Sequence, residues 1–202
     1  MLPGHIVYSV PVARWEPNTR ERLVRAALDL FAEQGYDATT VNEIADRAGG
    51  LTKMTFFRHF PGKREVLFAG QEMHSRLVGD AVAAAPNSAT PLQAVASALD
   101  AVTATFTDDR RDFSARLREV IAGNSELRER AASKRTALAE AMTDALRKRG
   151  VPDPAASLAA ELGVRAFYRA FDDWSDPANQ QTLTELTRQT LGELRAAIAT
   201  LD

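Results

Sequence analysis

Residues Thr39 to Lys63 read TTVNEIADRAGGLTKMTFFRHFPGK. Thr40 with Glu43 three residues on forms a capping box, and Ile44, Ala45 and Ala48 give the helix it opens an apolar side. Gly49 and Gly50 stop that helix, and Thr52 opens a second short one that ends before Pro61. A capped helix of about eight residues, a glycine turn and another short helix have the spacing of a helix-turn-helix. On the second helix Leu51, Phe56 and Phe60 fall on one side and pack on the first helix. Lys53, Met54, Phe57 and Arg58 then point the other way. Such a face suits a DNA major groove, where side chains reach base edges and thymine methyls. From Arg47 to Arg64 the charged residues are Arg47, Lys53, Arg58, Lys63 and Arg64, with no Asp or Glu among them. Basic charge alone reads more often as a solvated face. Joined to the spacing, it points to nucleic acid.

Working outward, the whole chain reads as helix, and no stretch keeps a strand's alternation. Upstream, Asn18 with Glu21 is a second capping box, Leu23, Ala27, Leu30 and Phe31 recur at helical spacing, and Gly35 ends the run. Residues 1–17, with Pro3, Pro11 and Pro17, form an arm, and Arg14 beside Trp15 is more simply a tail than a minor-groove reader. Downstream, Lys63 to Ala85 reads as one long amphipathic helix with Val66, Met73, Leu77 and Ala81 on one side. Three further helices are expected to open at Thr90-Pro91, Asp153-Pro154 and Asp176-Pro177, since proline at the first helical position loses no hydrogen bond. Arg111 to Ala122 and Ser125 to Arg149, closed by Gly123 and Gly150, lie between them. The reading is an all-α protein of about nine helices. Three front ones form a helix-turn-helix DNA-binding domain over residues 18–65, and the rest a second helical domain over residues 66–202.

The residues quoted so far resemble the TetR family of bacterial transcriptional regulators. The resemblance rests on Phe31-Ala32-Glu33-Gln34-Gly35-Tyr36, Thr39-Thr40-Val41, Ile44-Ala45, Ala48-Gly49, Leu51-Thr52-Lys53, Thr55 to Phe60, and Lys63, and it covers residues 18–68. It implies that Thr40 sits against a DNA phosphate, that Asn42 faces a base or phosphate, and that Lys53, Met54 and Thr55 read the major groove. Thr52 and Arg58 belong to the same set, and Lys63 would contact a phosphate. Phe57 stands where the family usually has tyrosine. It lacks the hydroxyl, so a thymine methyl or sugar is its expected contact. His59 reads as structural and partly buried. Gly50 is one residue more than the family usually carries in the turn, and a longer turn can rotate the reading helix.

The resemblance makes residues 66–202 a ligand-sensing and dimerisation domain. Met73, Phe106, Phe113, Met142, Phe167, Tyr168, Phe171 and Trp174 are the candidates to line an apolar cavity, although such residues singly are more often plain core. Arg116 and Arg118 would meet an anionic ligand. Ala156, Ala159, Ala160, Gly163, Ala166 and Ala170 form a small-residue face, and Leu183, Leu186, Leu194 and Ile198 a stripe on the last helix. These two helices are the candidate interface of a homodimer. The alternative is that both merely complete the protomer's core. A dimer would present two reading helices about 34–36 Å apart to a palindromic operator in double-stranded DNA.

Composition narrows the remaining classes. The chain has 202 residues, 45% of them hydrophobic and 26% charged, enough for a packed core. It has no cysteine, which removes disulfides and thiolate chemistry and fits a reducing cytosol. The net charge is -2, so any nucleic-acid contact must be local. No stretch reaches the ~18 apolar residues of a membrane span, and Met1 to Pro11 lacks the basic start of a signal peptide. The three histidines, His5, His59 and His74, lie in different segments, and no HExxH, GxSxG or P-loop occurs. Adjacent Asp172 and Asp173 diverge on a helix. Neither an enzyme nor a cofactor or metal site is therefore expected. The expectation is a cytoplasmic homodimeric repressor released by a small apolar or amphipathic effector. The alternatives are a helical small-molecule-binding protein without DNA function, or a DNA-binding regulator that senses no small molecule.

Overall fold

The computed structural model describes residues 19–201. Asn18 and the arm with Arg14 and Trp15 lie outside the described residues. Among these there are nine α-helices and no strand. The first three are α1 (Thr19–Gln34), α2 (Val41–Arg47) and α3 (Lys53–His59). A 3₁₀ turn over Lys63–Phe68 leads to α4 (Gln71–Ala84), then α5 (Pro91–Thr103) and a second 3₁₀ turn over Asp108–Arg110. The remaining helices are α6 (Arg111–Gly123), α7 (Ser125–Lys148), α8 (Asp153–Trp174) and α9 (Leu183–Ile198).

Local chemistry fixes most helix starts. Thr40, Thr90 and Thr182 each form a full capping box, with Glu43, Gln93 and Glu185 as partners. Thr52 and Asn124 cap α3 and α7 by accepting from Thr55 N and Leu127 N. Each such cap satisfies one of the amides that a helix leaves orphaned at its first turn.

Three expected boundaries are corrected. The stretch from Lys63 to Ala85 is two elements, because the chain breaks at Ala69 and Gly70. Val66, Leu67 and Phe68 turn into the front core, while Val78 and Val82 face the rear one. No helix opens at Asp176-Pro177. The Asp176 carboxylate accepts from Ala178 N in a tight turn, and α9 waits for the Thr182 box. At Asp153-Pro154 the helix starts at Asp153 itself, whose carboxylate is taken by Arg147 instead of capping.

Two cores result. The front core holds Leu23, Ala27 and Phe31 of α1, Ile44 of α2, Phe56 and Phe60, and Val66 to Phe68. Leu127 of α7 is fully buried in it, and Phe113 and Leu117 of α6 pack on it. The rear core is built from α4, α5, α7, α8 and α9, with Met142, Leu146, Val95, Leu99, Phe167 and Trp174 among its buried members.

Candidate nucleic-acid interface

The interface begins with why α3 lies where it does. Seven residues make a helix too short to persist alone. Phe56 and Phe60 bury their rings, with centroids 5.5 Å apart, and hold it on α1 and α2. The opposite face is therefore forced outward. Met54 is 76% exposed and Phe57 46%, large values for apolar side chains, and Lys53 and Arg58 are exposed beside them. The Lys53 ammonium lies 5.9 Å from the centre of the Phe57 ring. Among the described residues no carboxylate pairs with Lys53 or Arg58. Thr52 and Thr55 join hydroxyl to hydroxyl at 3.0 Å, so the cap already engages the Thr55 side chain.

Thr40 and Asn42 are exposed at the start of α2. The Glu43 carboxylate accepts from Thr40 N and Oγ1, both at 2.7 Å, and these bonds hold its pKa below the ordinary value. Lys63 is more structural than its resemblance implies. Its ammonium donates to the carbonyls of Tyr36 and Thr39 at 2.6 and 2.9 Å and sits 4.1 Å over the Tyr36 ring. Two of its three N–H groups are thereby engaged, and its charge also helps lower the pKa of the Glu43 carboxylate that completes the Thr40 cap. His59 is half-buried, as expected of a structural histidine.

The basic run is smaller than the sequence suggests. Arg47 is closed by a two-bond pair with Glu33 at 3.0 and 2.9 Å. Arg64 pairs with Glu65 at 3.3 Å and lies 4.0 Å from Glu126. These acids lie outside the run from Arg47 to Arg64, so the run itself did not reveal them. Lys53 and Arg58 on α3 are what remains of the exposed charge.

The turn has a clamp that sequence reasoning missed. Gly49 and Gly50 take φ of +106° and +68°, and Gly50 N and Leu51 N donate back to Asp46 and Ala45 carbonyls. Arg22 of α1 donates from Nε to the Ala48 carbonyl at 2.8 Å, and its guanidinium occupies the space that a Cβ on Gly49 would need. A Cβ on Gly50 would meet nothing, so the additional glycine projects into open space. An arginine on a solvated helix carries no sequence mark of such a role.

Charged braces run from this domain to the helices behind it. Arg130 of α7 grips Glu65 with three bonds of 2.8–3.0 Å, also donates to Gln71, and covers the Phe68 ring at 5.1 Å. The Glu65 pKa is lowered as a result. Tyr36 donates to Glu126 at 3.0 Å, and burial with this bond raises its pKa. Arg116 pairs with Asp29 of α1 at 2.8 Å, and Arg118 with Asp172 of α8 at 3.1 Å. Both arginines are thus already engaged by carboxylates of the protein itself.

The expected ligand set divides. Phe106, Phe167, Phe171 and Trp174 form one cluster, with centroids 5.7–6.1 Å apart, and Tyr168 joins through Phe167 at 5.2 Å. His74 meets Phe106 at 5.5 Å. The Trp174 indole N–H is buried with no acceptor among the described residues. Three members stand apart from this cluster. Met73 is exposed at the rim of a groove between the domains, beside His59, Phe60 and Arg130. Phe113 belongs to the front core, and Met142 is fully buried near Gly163.

The small-residue face is corrected too. Ala156, Ala159, Ala160, Gly163, Ala166 and Ala170 all point into the protomer's own core. A Cβ on Gly163 would come within 2.4 Å of Val95, so the small side chains let α8 approach α5. Leu183 and Leu186 are likewise buried within the protomer, which leaves Leu194 and Ile198 nearer the surface. Ile198 and Leu158 are the large apolar residues exposed on α9 and α8.

The front three helices with an outward-facing third helix, joined to a helical bundle, define a helix-turn-helix regulator architecture. Residues 23–69 match the family of bacterial regulatory proteins, tetR family, so the front domain is similar to the domain of that family. It is 40% identical over 90 residues to the HTH-type transcriptional regulator TcmR of Streptomyces glaucescens, over 45% of this chain and 39% of TcmR. It is 36% identical over 89 residues to the regulator BetI of Rhizobium meliloti, over 44% of this chain and 43% of BetI. The chain thus spans less than half the length of these curated relatives. Among solved structures, FadR of Bacillus subtilis in complex with stearoyl-CoA superposes with a TM-score of 0.57 at 17% identity, covering 86% of this chain and 96% of FadR. SmeT, the repressor of a Stenotrophomonas maltophilia multidrug efflux pump, gives 0.54 at 21%, covering 88% and 89%. At these identities the likeness is one of fold.

Proposed function

We propose that the protein is a DNA-binding transcriptional regulator that binds a palindromic operator as a homodimer and leaves it when a small apolar or amphipathic effector binds. The observation that carries the reading is the outward face of α3. Met54 and Phe57 stand in solvent between Lys53 and Arg58, an arrangement that costs solvation unless something covers it. A major groove covers it well: the cations meet base acceptors and phosphates, and the apolar groups meet thymine methyls. Thr40, Asn42, Thr52 and Lys63 would flank the groove on the phosphates.

The aromatic cluster around Phe106, Phe167, Phe171 and Trp174 is the proposed effector seat. The unpaired indole N–H of Trp174 supports it, because a buried donor without an acceptor is costly and a ligand oxygen would satisfy it. The exposed Leu158 and Ile198 support a dimer through the outer faces of α8 and α9. No helix among the described residues is long and apolar enough to cross a membrane, which agrees with a cytoplasmic regulator. The reading assigns no catalytic step.

The test is fluorescence anisotropy of the protein with duplex from upstream of its own coding sequence, against a scrambled duplex, at physiological salt. Nanomolar, saturable binding with strong preference for the upstream duplex is expected, and affinity should fall steeply as salt rises. Equal binding to both duplexes at every salt concentration would sink the reading for that operator.

A further inference from the structure

Helices α5 and α9 run antiparallel. The Thr103 and Thr184 hydroxyls join at 2.8 Å, and Asp100 holds Arg188 through two bonds of 2.8 and 3.0 Å. Beyond that pair the two helices part around a groove of about 360 Å³. Leu92, Ala96 and Leu99 line it from α5, and Leu191, Gly192 and Arg195 from α9. This is the lower end of the size range of small-molecule sites.

Packing does not account for the groove. Gly192 stands inside a helix, where glycine is the least favourable residue after proline. Glycine there usually marks a close approach, yet a Cβ at Gly192 would meet nothing within 4 Å. With Ala96 opposite, it keeps the space open. Thr187 also lines the groove, and it is 2% exposed with a hydroxyl that has no partner among the described residues. Buried hydroxyls are normally satisfied, so this one is free for a group that enters the groove. The charges at the groove are unequal. Asp100 neutralises Arg188, whereas Arg195 has no carboxylate partner among the described residues.

We propose that this groove binds an amphipathic carboxylate. Its apolar chain lies between Leu92, Ala96, Leu99 and Leu191, its carboxylate accepts from the Arg195 guanidinium, and an oxygen at its far end meets Thr187 Oγ1. Eight residues separate Thr187 from Arg195, about 12 Å along the helix, the reach of a roughly ten-carbon chain. The site is separate from the aromatic cluster and does not depend on the DNA reading.

Titration calorimetry of the full chain with 10-hydroxydecanoate, decanoate and 1-decanol tests it. One acid per chain is expected, with decanol about tenfold weaker for want of a charge-assisted bond. Gly192→Leu fills the groove with a better helix former. It should lower the affinity for both acids at least about tenfold while the melting temperature holds or rises. Ala96→Leu fills the groove from the opposite wall and should do the same. Arg195→Gln should weaken the acids and leave decanol unchanged, and Thr187→Val should remove the advantage of the hydroxy acid over decanoate. The proposal is overturned if neither acid binds at millimolar concentration, or if both filling variants bind like the parent. It is also overturned if Phe171→Ala, and not Gly192→Leu, abolishes binding. Sedimentation covers the remaining occupant. If the parent sediments as a larger species that Gly192→Leu splits, the groove is covered by a second copy of the chain and the proposal fails.

Discussion

Arg22 reaches from the first helix to the carbonyl that closes the second, and it fills the space beside Gly49. Arg22→Ala leaves that carbonyl to water and loosens the turn that aims α3. A loss of about 1–2 kcal/mol in urea unfolding is expected, with weakened operator binding. Lys53 differs, since it is exposed and its ammonium lies beside the Phe57 ring. Lys53→Ala should leave unfolding within about 0.5 kcal/mol and cost about 1–3 kcal/mol of binding at one operator position. A loss spread evenly over operator variants would make Lys53 a phosphate contact instead. Lys134 was not singled out by the sequence at all. Burial, with Arg130 nearby, pushes its ammonium down to about 8 from 10.5, and burial with the Lys134 charge pushes His74 down to about 4 from 6.5. Both shifts have one sign: the unfolded chain binds more protons than the folded one. Stability therefore falls as pH drops from about 6.5 toward 4 through His74, and rises with pH between about 8 and 10.5 through Lys134. Lys134→Met should stabilise the protein at pH 7 by on the order of 1–3 kcal/mol, and urea melts at pH 10.5 should show that gain shrinking.

At the scale of elements, legibility followed chemistry that is local in the chain. The box at Thr40, the opening at Thr90-Pro91, the Thr52 cap and the stop at Gly49-Gly50 are each complete within four residues, so they could be read directly. The outward residues of α3 were readable because Phe56 and Phe60 fix the helix's rotation. The faces of α8 were not. A small-residue stripe serves a partner subunit or a neighbouring helix equally well, and only the nearness of Val95 to Gly163 assigns it to the protomer. The braces on Arg47, Arg116 and Arg130 join residues 14 to 87 positions apart, which no spacing reveals. The turn gives a paired prediction. Gly50→Ala meets open space and bears only the left-handed backbone, about 1 kcal/mol. Gly49→Ala bears that strain and displaces the Arg22 guanidinium, so its melting temperature should fall clearly further.

For the whole molecule, the front and rear cores are distinct, and part-buried to exposed polar braces cross between them. Arg130 is the most engaged of these. Arg130→Gln leaves half-buried Glu65 with only the more exposed Arg64 at 3.3 Å, and a loss of about 1–3 kcal/mol is expected in unfolding. The parent should also lose this contribution in acid. Because the Glu65 pKa is depressed in the fold, its stabilisation is full above the ordinary carboxylate range and disappears as pH falls through the lowered value. The variant's stability should consequently change less than the parent's over that acid range.

The break at Gly70 means that the front domain is not welded to α4 as one rod. The two meet at a break, and Arg130 pins it by holding Glu65 before it and Gln71 after it. A joint with a removable pin lends itself to part exchange. A chimera that carries residues 19–70 on a foreign helical bundle should recognise the same DNA. It should respond to the foreign bundle's signal only where that bundle offers an arginine in the place of Arg130.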